Sequence, residues 1–379
     1  MQIKGIKYIA LLPPEGYGVA AKRLILALAE TGIPITFKPL VPGGSWDLYF
    51  EKYQGASLLD KDLEPLCNKK IDYDWVIIHT TPEFYPNCVK EEQGKKIIAH
   101  TVWETDKIPS SWHNYFQGIN RIIVPCQWNK DVFIHSGITK PIDILPHICL
   151  ETEPNRNGLA SSGQTSYVFY TIGVWSSRKA ISDVIRAYLK AFKKEDDVLL
   201  IVKTNERDLT KQMLGKFRIK TRQTIKALQL CYPFSAKIKL ITDKISDEEI
   251  IDLHINSDCY ISLSHGEGWG LGAFDAATLG NPVIMTRFGG PLAFLQPELS
   301  YLVNYSIVPA NAKGHEKYIF TADQNWCAPD SKHAVELMRL VYENQTPAKE
   351  KAIKLQQQIK EKFSAEAVVQ QLLAILSRN

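Results

Sequence analysis

Between Ser264 and Ile284 the chain reads SHGEGWGLGAFDAATLGNPVI, with two carboxylates, Glu267 and Asp275, set among Gly266, Gly268, Gly270 and Gly272. The preceding DCYISLS has the composition of a buried strand, so HGEGWG is the loop at its carboxyl end and LGAFDAATLG the next helix. A helix N-terminus offers unpaired N–H groups and partial positive charge, both suited to phosphate. Glycines there let a ligand approach the backbone closely. Glu267 lies on the loop, and Asp275 falls about one turn into the helix, roughly 6 Å along its axis from Leu271. A diphosphate held near Gly268, Gly270, Leu271 and Gly272 would have one sugar on the Glu267 side and a ribose on the Asp275 side. A tight strand-to-helix turn with an exposed glutamate is the plainer alternative.

Other chemistry-bearing residues also sit where strands end. TIGVWSSRKAISDVIRAY places Arg178 and Lys179 in a turn after a strand. Arginine can fork onto phosphate and lysine acts as a point charge, although such a pair is often merely solvated. Lys203 closes the strand DVLLIVK. His100 ends KKIIAH, with Trp103 and Glu104 just beyond, and His79 and Glu83 follow another strand in IIHTTPEFYP. A lone histidine at a strand end is more often structural. LLPPEGYGVAAKRL gives strand, loop and helix with Gly16 and Gly18; a G-x-G without a third glycine is usually only a turn.

The elements that must position these groups form two blocks. KYIALLP, PITFKPL, DWVIIHT, KKIIAHTVW, RIIVP and DILP alternate with helical stretches such as VAAKRLILALAETG, SSWHNYFQGI and QWNKDVFIHSG. YVFYTIG, DVLLIVKT, KIKLIT, DCYISLS and PVIMT alternate with ISDVIRAYLKAFKKE and SDEEIIDLHIN. Short buried strands separated by helices imply parallel sheets. The expected organisation is an α/β domain over 1–150, a linker over 151–166 (ETEPNRNGLASSGQTS), a second α/β domain over 167–345, and terminal helices over 346–379 for which packing back on the first domain is one option. Ligands of such sheets bind beyond the carboxyl ends of the strands, where strand order reverses, so two domains facing each other would enclose a cleft.

Length and composition agree with this reading. A chain of 379 residues favours two domains. A hydrophobic content of 45% and a charged content of 23% describe a globular protein, and a formal charge of +4 is too small to argue for nucleic acid. No run of about 18 apolar residues is present, and the start reads as a strand instead of a signal peptide. Cys67, Cys88, Cys126, Cys149, Cys231, Cys259 and Cys327 are scattered without a CxxC pair, which favours a reducing cytoplasm over zinc or disulfides. DYD at 72–74 and DD at 196–197 both precede strands, away from the ligand-binding ends, so neither argues for a metal. The stretch 211–226 carries Lys211, Lys216, Arg218, Lys220, Arg222 and Lys226 and no acid. A solvated helix face is the default there, and peripheral contact with an anionic membrane the alternative.

The run from DCYISLSHGEGWG through GNPVIMTRFGG resembles the family 4 retaining nucleotide-sugar glycosyltransferases, enzymes of the two-domain GT-B fold. Their signature is a glutamate, seven residues, a second glutamate and a G-x-P-V-I strand; here Asp275 stands at the second position. Gly272 stands where the family often has proline, and Val174 where it often has arginine, so Arg178 and Lys179 are left to carry the positive charge. QNWCAPDSKHAVELMRLVYEN fits the family's closing helical region, with Trp326 and Met338 as packing residues. The resemblance spans most of residues 7–345. It implies two doubly wound, Rossmann-like domains facing across a cleft, and transfer of a hexosyl group from a nucleoside diphosphate sugar without cofactor or metal. Glu267, His100, Lys179 and Arg178 would be catalytic, and Asp275, Gly268, Gly270, Leu271, Gly272, Lys203, Gly16 and Gly18 would bind the donor. His79, Glu83, Trp103 and Glu104 would lie toward a glycan, lipid-linked or protein acceptor. A sugar-nucleotide epimerase or phosphorylase, and a non-enzymatic relative that binds a sugar nucleotide or a partner, remain alternatives.

Overall fold

A computed structural model describes residues 3–13, 16–42, 48–49, 60–152, 166–211 and 219–378. The described chain forms two compact units, one of Met1–Trp103, Ile108–Cys149 and Glu361–Asn379, the other of Glu104–Lys107 and Leu150–Lys360. Most of the linker expected over 151–166, namely 153–165, lies outside the described residues, as does 212–218 of the basic stretch.

Strands of the first unit are β1 (Ile6–Leu11), β2 (Ile35–Pro42), β3 (Leu48–Tyr49), β4 (Trp75–His79), β5 (Lys96–His100), β6 (Arg121–Val124) and β7 (Ile142–Ile144). Those of the second are β8 (Tyr167–Ile172), β9 (Val198–Lys203), β10 (Lys237–Ile241), β11 (Cys259–Ser262), β12 (Val283–Thr286), β13 (Tyr301–Val303), β14 (Tyr305–Pro309) and β15 (Asn325–Pro329). Helices, in chain order, are α1 (Gly16–Ala29), α2 (Tyr85–Glu91), α3 (Trp112–Tyr115), α4 (Gln127–His135), α5 (Ile181–Ala191) and α6 (Thr221–Leu230). They continue with α7 (Asp247–Ile255), α8 (Leu271–Thr278), α9 (Ser331–Glu343), α10 (Gln345–Lys362) and α11 (Ala365–Ser377).

The first sheet runs β3-β2-β1-β4-β5-β6-β7 and is parallel except for β3. The second runs β10-β9-β8-β11-β12-β13 and is parallel throughout. Each order reverses once, between β1 and β4 and between β8 and β11, which is the doubly wound pattern. Helices cover both faces of such a sheet, so its central strands have no solvent side, whereas the edge strand β10 has no buried residue. Every residue of WVIIH in β4 and of CYIS in β11 is accordingly buried. In α5 the apolar spacing of ISDVIRAYLKA buries Ile181, Val184, Ile185 and Tyr188 against the second sheet.

Two segments depart from the sequence reading. SSWHNYFQGI forms only the single turn α3, because Gly118 takes a φ of +78° and Trp112 and Phe116 are drawn into the core. NWCAP, expected within a closing helical region, is β15 paired antiparallel with β14, and α9 begins only after it.

The last helix belongs to the first unit. Ser364 caps α11 by accepting from the Ala367 amide at 3.2 Å, and Val368, Leu372 and Ile375 enter the core with Leu24, Leu28 and Ile35. Leu372 is fully buried there. Leu372→Ala should lower unfolding free energy by about 2–5 kcal/mol in urea denaturation; a loss under about 1 kcal/mol would contradict this packing.

Candidate functional site

In the second unit β8 and β11 are neighbours at the point where strand order reverses, so the segments leaving their carboxyl ends, 173–180 and 263–270, lie side by side. The Gly173 amide donates to the Lys203 carbonyl at 3.1 Å, and the His265 amide to the Arg178 carbonyl at 2.8 Å. Ala180, a non-glycine residue with φ +47°, ends the first turn and starts α5. The second turn ends at Gly270, φ +86°, which opens α8.

These turns bring the charges together. Lys179 Nζ donates to Glu267 Oε1 at 2.7 Å and an Arg178 guanidinium nitrogen to Glu267 Oε2 at 3.1 Å. The same nitrogen donates to the Gly266 carbonyl at 2.9 Å, and the Arg178 amide donates to Glu316 at 3.0 Å. Glu267 is only 5% exposed. Burial alone would raise its carboxyl; Lys179 and Arg178 outweigh that cost and hold it below the ordinary carboxylate range. Burial likewise works against the Arg178 cation, and Glu104, Glu267 and Glu316 more than compensate, raising it.

Glu104, expected near an acceptor, instead faces Arg178 at 3.5 Å. Burial raises its carboxyl, with Arg178 offsetting only part of the shift. It belongs to a four-residue segment, Glu104–Lys107, that groups with the second unit. Thr105 donates to Gln324 at 2.8 Å, Asp106 accepts from the Asn325 amide, and Lys107 pairs with Asp323 at 2.7 Å. Gly266 makes this possible, since a Cβ there would overlap the Glu104 carbonyl.

Beyond the loop, Gly270 and Leu271 start α8 and Gly272 sits over the Tyr260 hydroxyl. Asp275 is buried, 7% exposed, on α8. The backbone of Glu267 and Gly268 is backed by a second glycine pair. Gly290 donates to the Glu267 carbonyl at 2.9 Å, and a side chain on Gly289 or Gly290 would meet that backbone. Lys203 ends β9 beside the same turn; burial lowers its ammonium, with Asp243 opposing.

Sequence reasoning singled out neither Glu316 nor the pair Gly289–Gly290. The GG after the strand PVIMT was a readable signal for the pair, but nothing local marks Glu316, whose contact spans 138 residues. Of the basic stretch, Arg222 and Lys226 are exposed on α6.

The remaining expected residues lie in the first unit. His79 and His100 end adjacent strands in register and stack, centroids 3.7 Å apart and rings 11° from parallel. The Tyr8 hydroxyl is 2.7 Å from His79 Nδ1, while His79 Nε2 and both His100 ring nitrogens are buried without a hydrogen-bond partner. Burial, and then the neighbouring imidazoles, push both histidines well below the ordinary histidine range. Glu83 accepts from the Trp112 indole at 2.9 Å, and Trp103 packs edge-on to the same indole at 4.5 Å. Gly16 opens α1, and Gly18 lies so close to Leu12 and Pro13 that no side chain fits.

Residues 160–321 match the family model of glycosyl transferases, group 1. No curated protein matches the sequence. Among solved structures, Anabaena HepE in complex with UDP-glucose is 13% identical with a TM-score of 0.69, covering 100% of both chains. Sucrose-phosphate synthase from Thermosynechococcus elongatus is 12% identical with a TM-score of 0.69, covering 98% of each. S. aureus TarM, 14% identical with a TM-score of 0.58, covers 80% of this chain, which spans only 55% of TarM. Residues 160–321 thus match the group 1 glycosyl transferase family model, and the chain shares the GT-B fold of these solved structures.

The ion pair has a pH signature. A carboxylate whose folded-state pKa is depressed contributes stability above its unfolded value, about 4.3, and loses it as pH falls through the lower folded value. Lys179→Ala should therefore be less stable than wild type at neutral pH, with the difference closing as pH falls below about 4. Thermal midpoints from pH 2 to 7 test this; a difference independent of pH would contradict the pairing.

Proposed function

We propose that the protein is a retaining glycosyltransferase that moves a hexosyl group from a nucleoside diphosphate sugar to a glycan, lipid-linked or protein acceptor. The observation that carries this reading is the buried Glu267 carboxylate bridged by Lys179 and Arg178 where the strand order of the second sheet reverses, beside the start of α8. Glu267 accepts hydrogen bonds from hydroxyls of the transferred sugar. As the bond from the anomeric carbon to the diphosphate oxygen lengthens, the positive charges of the turn and the first amides of α8 stabilise the growing anion, usually the largest contribution to such catalysis. Asp275 takes the ribose. His100 is assigned to the donor sugar on the resemblance, supported by its two unpartnered ring nitrogens. UDP and UDP-glucose in the HepE structures favour uridine as the base. Retention follows the family resemblance, and the protein's own cations make a metal unnecessary.

The test is a panel of UDP-, GDP-, ADP- and dTDP-sugars scored for binding and slow donor hydrolysis. One donor should bind and turn over, EDTA should leave the rate unchanged, and Glu267→Ala and Lys179→Ala should each lower kcat/KM by about 10²–10³. Binding of no donor, or binding indifferent to both substitutions, would support a non-enzymatic relative. Products isomerised or released without an acceptor would support an epimerase or phosphorylase.

A further inference from the structure

Arg178 and Lys179 are adjacent and share Glu267, yet their surroundings differ. Lys179 is bonded through Nζ to Glu267 Oε1 and is about one-quarter exposed. Arg178 is more deeply enclosed: one guanidinium nitrogen serves both the Gly266 carbonyl and Glu267 Oε2, and the other faces Glu104. Its main chain is fixed as well, the amide to Glu316 and the carbonyl to His265. The guanidinium also lies over the Phe320 ring.

Removing either cation from this cluster has unequal consequences. If Arg178 turned to a phosphate, the poorly exposed Glu104 would lose the guanidinium it faces at 3.5 Å, which is costly in a buried setting. If Lys179 moved, Glu267 would still be held at Oε2 by Arg178, and its Oε1 would become free to accept from a sugar hydroxyl. We propose that Glu104 and Arg178 are positioning residues that hold Glu267, and that Lys179 alone exchanges Glu267 for the donor diphosphate. This rests on the proposed donor site, and it changes the reading of Arg178 from a phosphate ligand to the support of a sugar ligand. It also gives Glu104 a role in the donor site, carried there by the segment 104–107. The exposed Val174, 46% accessible in the same turn, leaves Lys179 without a second arginine for that phosphate.

The experiment compares Arg178→Lys, Glu104→Gln and Lys179→Ala in the full chain by three readouts. These are UDP affinity by calorimetry, kcat for donor turnover, and hydrogen exchange of 264–268 without ligand. Arg178→Lys keeps the charge but loses the fork, and Glu104→Gln removes its anchor. Both should lower kcat about ten- to a hundredfold while leaving UDP affinity within about threefold, since the sugar ligand is misplaced but the phosphate cation remains. Both should also speed exchange at 264–268. Lys179→Ala should weaken UDP about tenfold or more and speed that exchange less than either of the other two substitutions. If Arg178→Lys weakens UDP as much as Lys179→Ala, Arg178 is a phosphate ligand and the proposal is overturned. Unchanged exchange in both Arg178→Lys and Glu104→Gln also overturns it. Should wild type bind no UDP or other nucleoside diphosphate, the donor-site reading fails instead, and the exchange comparison still decides whether Glu104 and Arg178 hold the loop.

Discussion

A carboxylate that is almost wholly out of water and still ionised dictates the second unit's architecture around it. Burying Glu267 is unfavourable by itself, and only close, well-oriented cations make it tolerable. Lys179 and Arg178 supply them at 2.7 and 3.1 Å, from a turn far earlier in the chain. Such a pair requires two neighbouring strands whose ends release their loops on the same side. The reversal of strand order between β8 and β11 provides that geometry. Gly266, Gly289 and Gly290 follow from the same constraint, because the loop holding Glu267 is closely approached by other backbone.

The cluster is not balanced for stability alone. Glu104, Glu267 and Glu316 gather about Arg178, and burial leaves Glu104 with a raised carboxyl. Replacing such a network by apolar side chains is often neutral or stabilising, so stability does not account for its presence. The histidines of the first unit show a similar tension. His79 and His100 stack in register, neutral and with unpartnered nitrogens, which is an expensive way to fill a core.

The fold was largely legible because a doubly wound sheet writes itself as short apolar runs separated by helix-length segments. WVIIH, RIIV and CYIS are buried along nearly their whole length and carry no competing pattern. The loops that carry Glu267 and Lys179 could each be placed at a strand end, but that the two side chains pair was not legible, because 88 residues separate them. Other features were hidden for physical reasons. Glu104 looked like the neighbour of His100 and Trp103 because sequence adjacency says nothing about which unit a four-residue segment packs on. Glu316 is reached by a main-chain amide, which has no residue-type signature. β15 was obscured because NWCAP is short and adjoins a strongly helical run.

Everything proposed for the site depends on the donor binding at the Lys179–Glu267 pair. A crystal structure with the nucleoside diphosphate sugar selected from the donor panel decides this. A diphosphate oxygen should lie about 3 Å from Lys179 Nζ and from the first amides of α8, with sugar hydroxyls on Glu267. A donor bound elsewhere, with the Lys179–Glu267 pair intact, would contradict it.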